Sequence, residues 1–473
     1  MTVTPLRPNL FQDCQDLHQF LLAFKQTALQ KDQTKIISIS LEIPPVDPLA
    51  VLSAIAKPDQ LHFYFEKAGK EEAIAAIDTV ASLKLKGRSR FYQSQHFIKS
   101  CLDNTISIGV PKLPFAGPHF FCSFTFFEEP LNVDSPFPPA TIFLPRLQVS
   151  RRENKCVLVA NIQINPQSNI KAIAENLWQQ FQKIRASEHK ISNIATHNPE
   201  NLINRNRSDI DNFKSAVVSS LESISANHLN KIVLAHAVDV TSPVPFHLVH
   251  SLHNLRSRHP DCYIFSTSNG KGQTFIGASP ERLISIQNRH LVTDALAGSA
   301  PRGKTAEEDA EFANRLLSSE KERHEHFVVL DFITQRLIHL GLTPQKTPLP
   351  SLRQLSNIQH IWTPIQAKVP DGVHPLEILA ELHPTPAVAG VPRDIACKEI
   401  RRYEPFERSL YAAPLGWVDY QGNSEFIVGI RSALIDGDRA RLYAGAGIVA
   451  GSDPDKELAE IQLKLQALLK GLV

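Results

Sequence analysis

The sequence predicts an α+β fold, and three observations lead there. In the second half of the chain, short β-rich runs follow one another across tight turns, which favours antiparallel pairing. Long stretches of helical periodicity stand apart from those runs, above all Thr305–Leu340 and the segment ending at Leu472. The composition is ordinary for a globular protein, with 42 % apolar and 21 % charged residues. By length alone, the 473 residues leave open one large α/β or α+β domain or two to three smaller ones.

Lys plus Arg number 50 and Asp plus Glu 48, a net charge of +2. Bulk charge therefore does not favour a polyanion, and no nucleic-acid partner is expected. Any anion recognition must be local. The cysteines at 14, 101, 122, 156, 262 and 397 form no C-x-x-C pair, so neither a zinc ribbon nor a thioredoxin motif is present. Dispersed single cysteines fit a reducing compartment. The first nine residues lack a signal-peptide pattern, and the apolar run His119–Phe127 is far too short to span a membrane. A cytoplasmic protein with no membrane partner is expected.

The elements follow in order. Phe11–Leu29 reads as a helix, Lys35–Ile43 and Leu61–Phe65 as strands, and Glu71–Leu83 as a helix. His119–Phe127, dense in aromatics, reads as a buried strand. Ala140–Leu147 and Lys155–Ile164 read as a hairpin turning at Arg151–Asn154. Acids such as Glu72 and Asp78 read as solvated faces, and residues 1–200 show only scaffold. Thr196–Ser208 is a polar loop, followed by a helix over Asp209–Asn227, a strand from Lys231 to His236 and a helix over Pro243–Arg256. Cys262–Ser266 and Thr274–Gly277 are strands, and Arg282–Ile286 with His290–Asp294 alternates like a hairpin. Thr305–Leu340 breaks near Ser318–Ser319, where Ser319-Glu-Lys-Glu322 reads as a capping box, and Gly341 ends it. His360–Ala367 is a strand, and His383-Pro-Thr-Pro386 with Pro392 makes a rigid loop. Gly416–Asp419, Ser424–Ser432 and Arg439–Ala444 are strands joined by hairpin-type turns.

The C-terminal stretch from Arg439 is the most informative. It reads as a strand, a turn with Gly445, Gly447 and Gly451, and an amphipathic helix opened by Pro454. Glu457, Glu460 and Lys464 share one face of that helix. Glycines allow close backbone approach, and turn amides can hold an anion. Glu322 and Glu325 form a second acidic pair, on the helix after Ser319. Two such pairs can face each other across one hard cation. Mg²⁺ suits them better than Ca²⁺, because it uses few carboxylates and completes its shell with water and substrate. Zinc lacks a ligand set here. Either pair could equally be solvated, with Glu322 serving only as a cap. Lys231 opens an apolar strand. It either reaches solvent or, if buried, can act as a base in its neutral form. Glu281, after Ser279-Pro280, is either a solvated turn residue or a general acid with a raised pKa. Arg431, in the expected strand Phe426–Leu434, either faces solvent or grips a carboxylate. Tyr411, the Gly445–Gly447 turn and Lys464 could complete a carboxylate pocket.

As a set these segments resemble the chorismate-utilising enzymes, which include isochorismate, salicylate, anthranilate and aminodeoxychorismate synthases. The resemblance rests on Lys231-Ile-Val-Leu-Ala, Gly277-Ala-Ser-Pro-Glu-Arg-Leu283, Ala295-Leu-Ala-Gly-Ser299, Glu322-Arg-His-Glu-His326, His360, His383-Pro-Thr-Pro-Ala-Val-Ala-Gly390, Tyr411 through Gly416-Trp417, Ile430-Arg-Ser-Ala-Leu434, Tyr443-Ala-Gly-Ala-Gly-Ile-Val449 and Gly451-Ser-Asp-Pro454. It covers residues 205–470, and the first 200 match only loosely. It implies one domain over 1–473, with two large antiparallel β-sheets packed face to face, helices outside and the site between the sheets. Residues 1–200 would be a divergent part of that scaffold. Water-adding members carry a lysine at the position of Lys231, and the Leu-Leu-Glu-Ser motif of anthranilate synthases is missing. With the His-Pro-Thr-Pro loop, these features look most like isochorismate synthases serving menaquinone or phylloquinone synthesis.

The resemblance also implies roles. Glu325 and Glu460 would hold Mg²⁺, with Glu322 and Glu457 on its waters. Tyr411, Arg431, the Gly445 and Gly447 amides and Lys464 would grip carboxylates. Lys231 would be the base for water attack at C2, and Glu281 the acid for the departing C4 hydroxyl. Ser299 and His360 would line the ring pocket. The rivals are a salicylate synthase, which also expels pyruvate, the amine-adding class with its amidotransferase subunit, and a non-catalytic binding protein. Lys231 argues against the amine-adding class, so no amidotransferase is expected, and the chain is expected to be a monomer.

Overall fold

The computed structural model describes residues 3–4, 13–28, 34–109, 113–132, 134–187, 203–204, 209–356 and 358–472. Two sheets of β-branched and aromatic runs carry the architecture. Among the described residues, the larger has 14 strands. From one edge it runs Val3–Thr4, Thr105–Gly109, Lys35–Ile43, Lys155–Ile164, Leu147–Arg152, Glu72–Ile77, His62–Lys67, Tyr263–Ser268, Gln273–Ser279, Ser432–Asp436, Arg439–Ile448 and Lys231–Thr241. The outer edge of Lys231–Thr241 carries two short strands, Ile203–Asn204 and Gly390–Val391. The smaller sheet has 10 strands. Gln345–Lys346 and Ser351–Gln354 both pair Ile358–Lys368. From there the order is His290–Pro301, Arg282–Gln287, Ser424–Val428, Pro414–Asp419, His119–Phe124, Ala140–Leu144 and Ala81–Leu85.

Pairing is antiparallel except at Thr105–Gly109, which runs parallel to both its neighbours. The first 164 residues supply the large-sheet strands as far as His62–Lys67. That strand pairs Tyr263–Ser268, with Phe65 opposite Phe265, so both parts of the chain build one sheet. Aromatic side chains fill the space between the sheets. Phe63 of the large sheet meets Phe121 of the small one at 5.2 Å between ring centroids. Each such fully buried ring contributes about 1.5–3 kcal/mol. Helices cover the outside. Pro48–Ile55 packs on Glu72–Ile77, Glu320–His339 on His290–Pro301, and Pro454–Leu472 on Arg439–Ile448.

Several expectations need correction. Glu71–Leu83 is not a helix but two strands, Glu72–Ile77 and Ala81–Leu85, one in each sheet. Its alanines favour helix in isolation. In place, residues 73–77 are buried mid-sheet beneath Pro48–Ile55, and tertiary context overrides propensity. Glu72 and Asp78 are not free acids: they pair with Arg152 and Arg146, each at 2.8 Å. The hairpin partner of Lys155–Ile164 is Leu147–Arg152; Ala140–Leu144 stops before Pro145 and joins the other sheet. Ser424–Ser432 is likewise divided. Ser424–Val428 lies in the small sheet and Ser432–Asp436 in the large one, so Arg431 sits in the link between sheets at φ 50°. Gly445 and Gly447 lie within the strand Arg439–Ile448, not in a turn. The helix expected from Pro243 starts at Leu248. Helices Pro375–Leu382 and Arg393–Tyr403, on either side of the proline loop, were not anticipated. The break at Ser319 is as expected, with helices Ala306–Ser318 and Glu320–His339. The loop Thr196–Ser208 lies outside the described residues except for Ile203–Asn204.

Candidate active site

One cleft opens where the two sheets part. Twelve of the thirteen candidate residues line it: Glu281, Ser299, Glu322, Glu325, His360, Tyr411, Arg431, Gly445, Gly447, Glu457, Glu460 and Lys464. The thirteenth, Lys231, lies just behind the wall. Its side chain is 1 % exposed, and Nζ meets Glu325 Oε1 at 2.7 Å.

Two helices bring the acids together. Ser319 caps the first, its Oγ accepting from the Glu322 amide at 3.4 Å. The Glu322 carboxylate does not reciprocate the cap; it accepts from the Ser299 amide at 3.1 Å. Glu325 lies one turn on and faces Lys231. From the C-terminal helix, Glu460 pairs with Lys464 at 2.6 Å and Glu457 with Lys321 at 3.3 Å. Burial raises the Glu322 carboxyl, and the charges of Glu325 and Glu460 push it further. Burial also raises Glu457, with Glu460 adding to it. Among the described residues, no three His, Cys, Asp or Glu side chains are gathered at metal-ligating spacing. The donor set is nonetheless a hard-cation set: carboxylates from two helices at one cleft, each within reach of a lysine.

Glu281 is 5 % exposed and follows the end of the strand Gln273–Ser279. Its backbone is fixed: the amide donates to Ser279 Oγ at 3.2 Å, and the carbonyl accepts from Val428 at 3.1 Å. Burial pushes its carboxyl up to about 8; Lys231 opposes that shift and Asp294 adds to it. Glu281 is therefore mostly protonated at neutral pH.

The cationic side of the cleft centres on Arg431. It donates from Nη2 to His360 Nε2 at 3.3 Å and also bonds the Cys262 thiol. Among the described residues no carboxylate is in salt-bridge contact with it, so its charge stays available to an anion. Burial first, then Arg431 and Lys464, holds His360 well below the ordinary imidazole range, so the ring is neutral. Since Nε2 accepts from Arg431, we assign the proton to Nδ1, which donates to Ser299 Oγ at 2.9 Å. Ser299 can then donate into the cleft. Lys464 Nζ reaches the Gly445 carbonyl at 2.8 Å.

Gly445 and Gly447 lie at an open strand edge rather than in a turn. They lie opposite Ala235 and Val233. The amides of those two residues point away from the glycines, to Glu404 Oε1 and to the Ala389 carbonyl. The register therefore turns the Gly445 and Gly447 amides outward. There the neighbouring strand has already ended, its last pair being Ser432 with Tyr443. A Cβ on Gly447 would fall 2.5 Å from Glu325 Oε1 and 3.3 Å from Lys231 Cε. Gly447→Ala should fold but displace Glu325, lowering kcat by about 10²-fold, the scale of an ångström-level misplacement. Steady-state rates within twofold of the parent would count against close packing here.

Other lining residues were passed over in the sequence: Lys321, Gly298, Ala387, Val388, Ile430 and Tyr443. Lys321 sits inside the Ser319–Glu322 cap motif, and Gly298 inside Ala295–Ser299. Tyr443 stacks on Tyr411, with ring centroids 5.2 Å apart, a contact no local pattern announces.

Among the described residues, no helix is long and apolar enough to cross a membrane. Residues 22–473 match the model of the chorismate binding enzyme family. The salicylate biosynthesis isochorismate synthase of Pseudomonas aeruginosa is 31 % identical over 93 % of this chain and 91 % of its own length. Isochorismate synthase MenF of Bacillus subtilis is 30 % identical over 94 % and 95 %. The solved structure of the menaquinone-specific isochorismate synthase MenF from Escherichia coli superposes with a TM-score of 0.77 at 26 % identity, covering 98 % of this chain and all of that one. With its two sheets, its cleft and a match across nearly its whole length, the chain belongs to the chorismate binding enzyme family.

Proposed function

We propose that this protein is an isochorismate synthase, converting chorismate reversibly to isochorismate. The observation that carries the reading is that Lys231 and Glu281 are both buried at one cleft, the carboxyl held protonated up to about pH 8. Lys231 takes a proton from the water that attacks C2. Both ring double bonds shift, C1=C2 to C1=C6 and C5=C6 to C4=C5, and the C4 hydroxyl leaves as water with a proton from Glu281. One water enters and one departs, so the reaction is an isomerisation. The reverse step uses the same pair with protonation states exchanged. To accept a proton Lys231 must be the free amine, so its contact with Glu325 has to give way in the working complex.

Arg431, Tyr411, Lys464 and the Gly445 and Gly447 amides hold the substrate carboxylates. Ser299, oriented by His360, lines the ring pocket. Glu325 and Glu460 would hold Mg²⁺, and Glu322 and Glu457 its waters. Bound there, Mg²⁺ would supply positive charge to the ring carboxylate. The Escherichia relative supports a place in menaquinone synthesis, and the Pseudomonas relative supports one in salicylate synthesis. In either setting this step ends at isochorismate. We take the chain as one catalytic domain.

Pure protein incubated with chorismate and Mg²⁺ should yield isochorismate by chromatography. Salicylate with pyruvate as main products would replace this reading with a salicylate synthase; an ammonia-dependent aromatic amine would replace it with the amine-adding class. Glu325→Ala should lose Mg²⁺-dependent activity, raising the half-saturating Mg²⁺ concentration by at least about 10-fold. An unchanged Mg²⁺ titration would remove Glu325 from the metal set.

A further inference from the structure

The strand headed by Lys231 has a problem along its outer edge. Gly390–Val391 pairs only Lys231 and Ile232, and Ile203–Asn204 only Val240 and Thr241. Between them, among the described residues, the Val233 carbonyl and the Ala235 amide face no neighbouring strand, while the Val233 amide is taken by the Ala389 carbonyl. Buried backbone groups must find partners. A buried ion pair supplies them. Arg408, with its side chain 0 % exposed, donates from Nη2 to the Val233 carbonyl at 2.8 Å. Glu404 Oε1 accepts from the Ala235 amide at 2.8 Å. The two side chains are locked to each other, Arg408 Nε to Glu404 Oε2 at 2.8 Å and Nη2 to Oε1 at 2.5 Å.

The same guanidinium reaches two further walls of the cleft. Nη1 donates to the Val388 carbonyl at 2.8 Å, fixing the loop after the prolines. The Arg408 carbonyl accepts from the Tyr411 amide at 2.8 Å, and the guanidinium sits 5.8 Å from the Tyr411 ring centroid. Val233, Val388 and Tyr411 all line the cleft, but Arg408 and Glu404 do not. A fully desolvated charge pair adds little net stability compared with apolar packing, so its main product here is geometry. Only the planar fork of arginine can bond a carboxylate and two carbonyls together.

We propose that Arg408 and Glu404 are positioning residues for the reaction: they act as a substitute strand that sets the Lys231-bearing edge against the Val388 and Tyr411 walls. Neither touches substrate. The proposal rests on the isochorismate synthase reading. It predicts that damage to the pair appears more in kcat than in KM, because Tyr411 is the one carboxylate-gripping side chain that Arg408 contacts, and Arg431 and Lys464 are held by other elements.

The test uses purified full-length Arg408→Lys, which keeps the charge and loses the fork, and Glu404→Gln, which keeps the shape and loses the charge. Thermal unfolding and steady-state isochorismate formation are measured for both and for the parent. In folded protein, kcat should fall at least tenfold while KM changes less than threefold. A folded variant with kcat within twofold of the parent overturns the proposal, as does a kcat loss matched by an equal rise in KM. If Arg408→Lys does not fold, Glu404→Gln decides by the same criteria. Parent protein that makes no isochorismate sinks the function reading instead, so the two failures are distinguishable.

Discussion

Lys231→Ala should lower kcat for isochorismate formation by about 10²–10⁴-fold, the span for loss of a general base. KM should change little, because the carboxylate grips lie on other elements. The variant should fold. The lost side chain leaves a small void, and Glu325, 13 % exposed, can still reach water. The sharper substitution is Lys231→Arg. A guanidinium keeps the positive charge beside Glu325, but it does not deprotonate in proteins and cannot serve as a base. It should be as inactive as the alanine variant while keeping a parental unfolding temperature. If Lys231→Arg retains near-normal kcat in a product assay, position 231 supplies charge and not proton transfer. If both variants are near normal, Lys231 has no part in the step.

Much of this was legible in the sequence, and the misses have physical causes. The acidic pairs were found because i, i+3 spacing on a well-capped helix fixes a face without any tertiary information. Lys231 was marked by an amine opening an apolar strand and Glu281 by its place after Ser279-Pro280 at the start of a hairpin, and the set gained meaning from its resemblance to known enzymes. Three misreadings share one origin. Glu72–Ile77 looked helical because alanine propensity is local, whereas its burial between two strands is not. Ser424–Ser432 looked continuous because β-branched residues run straight through it. Only packing reveals that Gly429-Ile430-Arg431 crosses from one sheet to the other and aims the arginine into the cleft. Gly445 and Gly447 suggested a turn, yet their value lies in an unpaired strand edge, which depends on where a different strand stops. Arg408 and Glu404 gave no signal, since a charged pair four residues apart ordinarily reads as a solvated helix face.

Glu281→Gln should also lower kcat by about 10²–10⁴-fold, and it should leave a second signature of opposite sign. The folded carboxyl holds its proton to about pH 8, against an ordinary value of 4.5. Between those two values the unfolded chain has released the proton and the folded chain has not, so folding must take one up. Stability contributed at this position therefore falls as pH rises from about 4.5 to about 8, and the full penalty applies above that. At pH 7 the penalty is on the order of 3 kcal/mol. Glutamine carries no such proton. Glu281→Gln should thus be the less active protein and the more thermostable one, with an advantage in unfolding temperature that is small at pH 5 and grows toward pH 8. In the parent, kcat/KM should fall as pH rises through about 8, where the free enzyme loses its acid. That limb should be missing from the residual activity of the variant. An unfolding advantage independent of pH would mean that Glu281 ionises normally, and a carboxylate already ionised at pH 7 cannot protonate the departing hydroxyl.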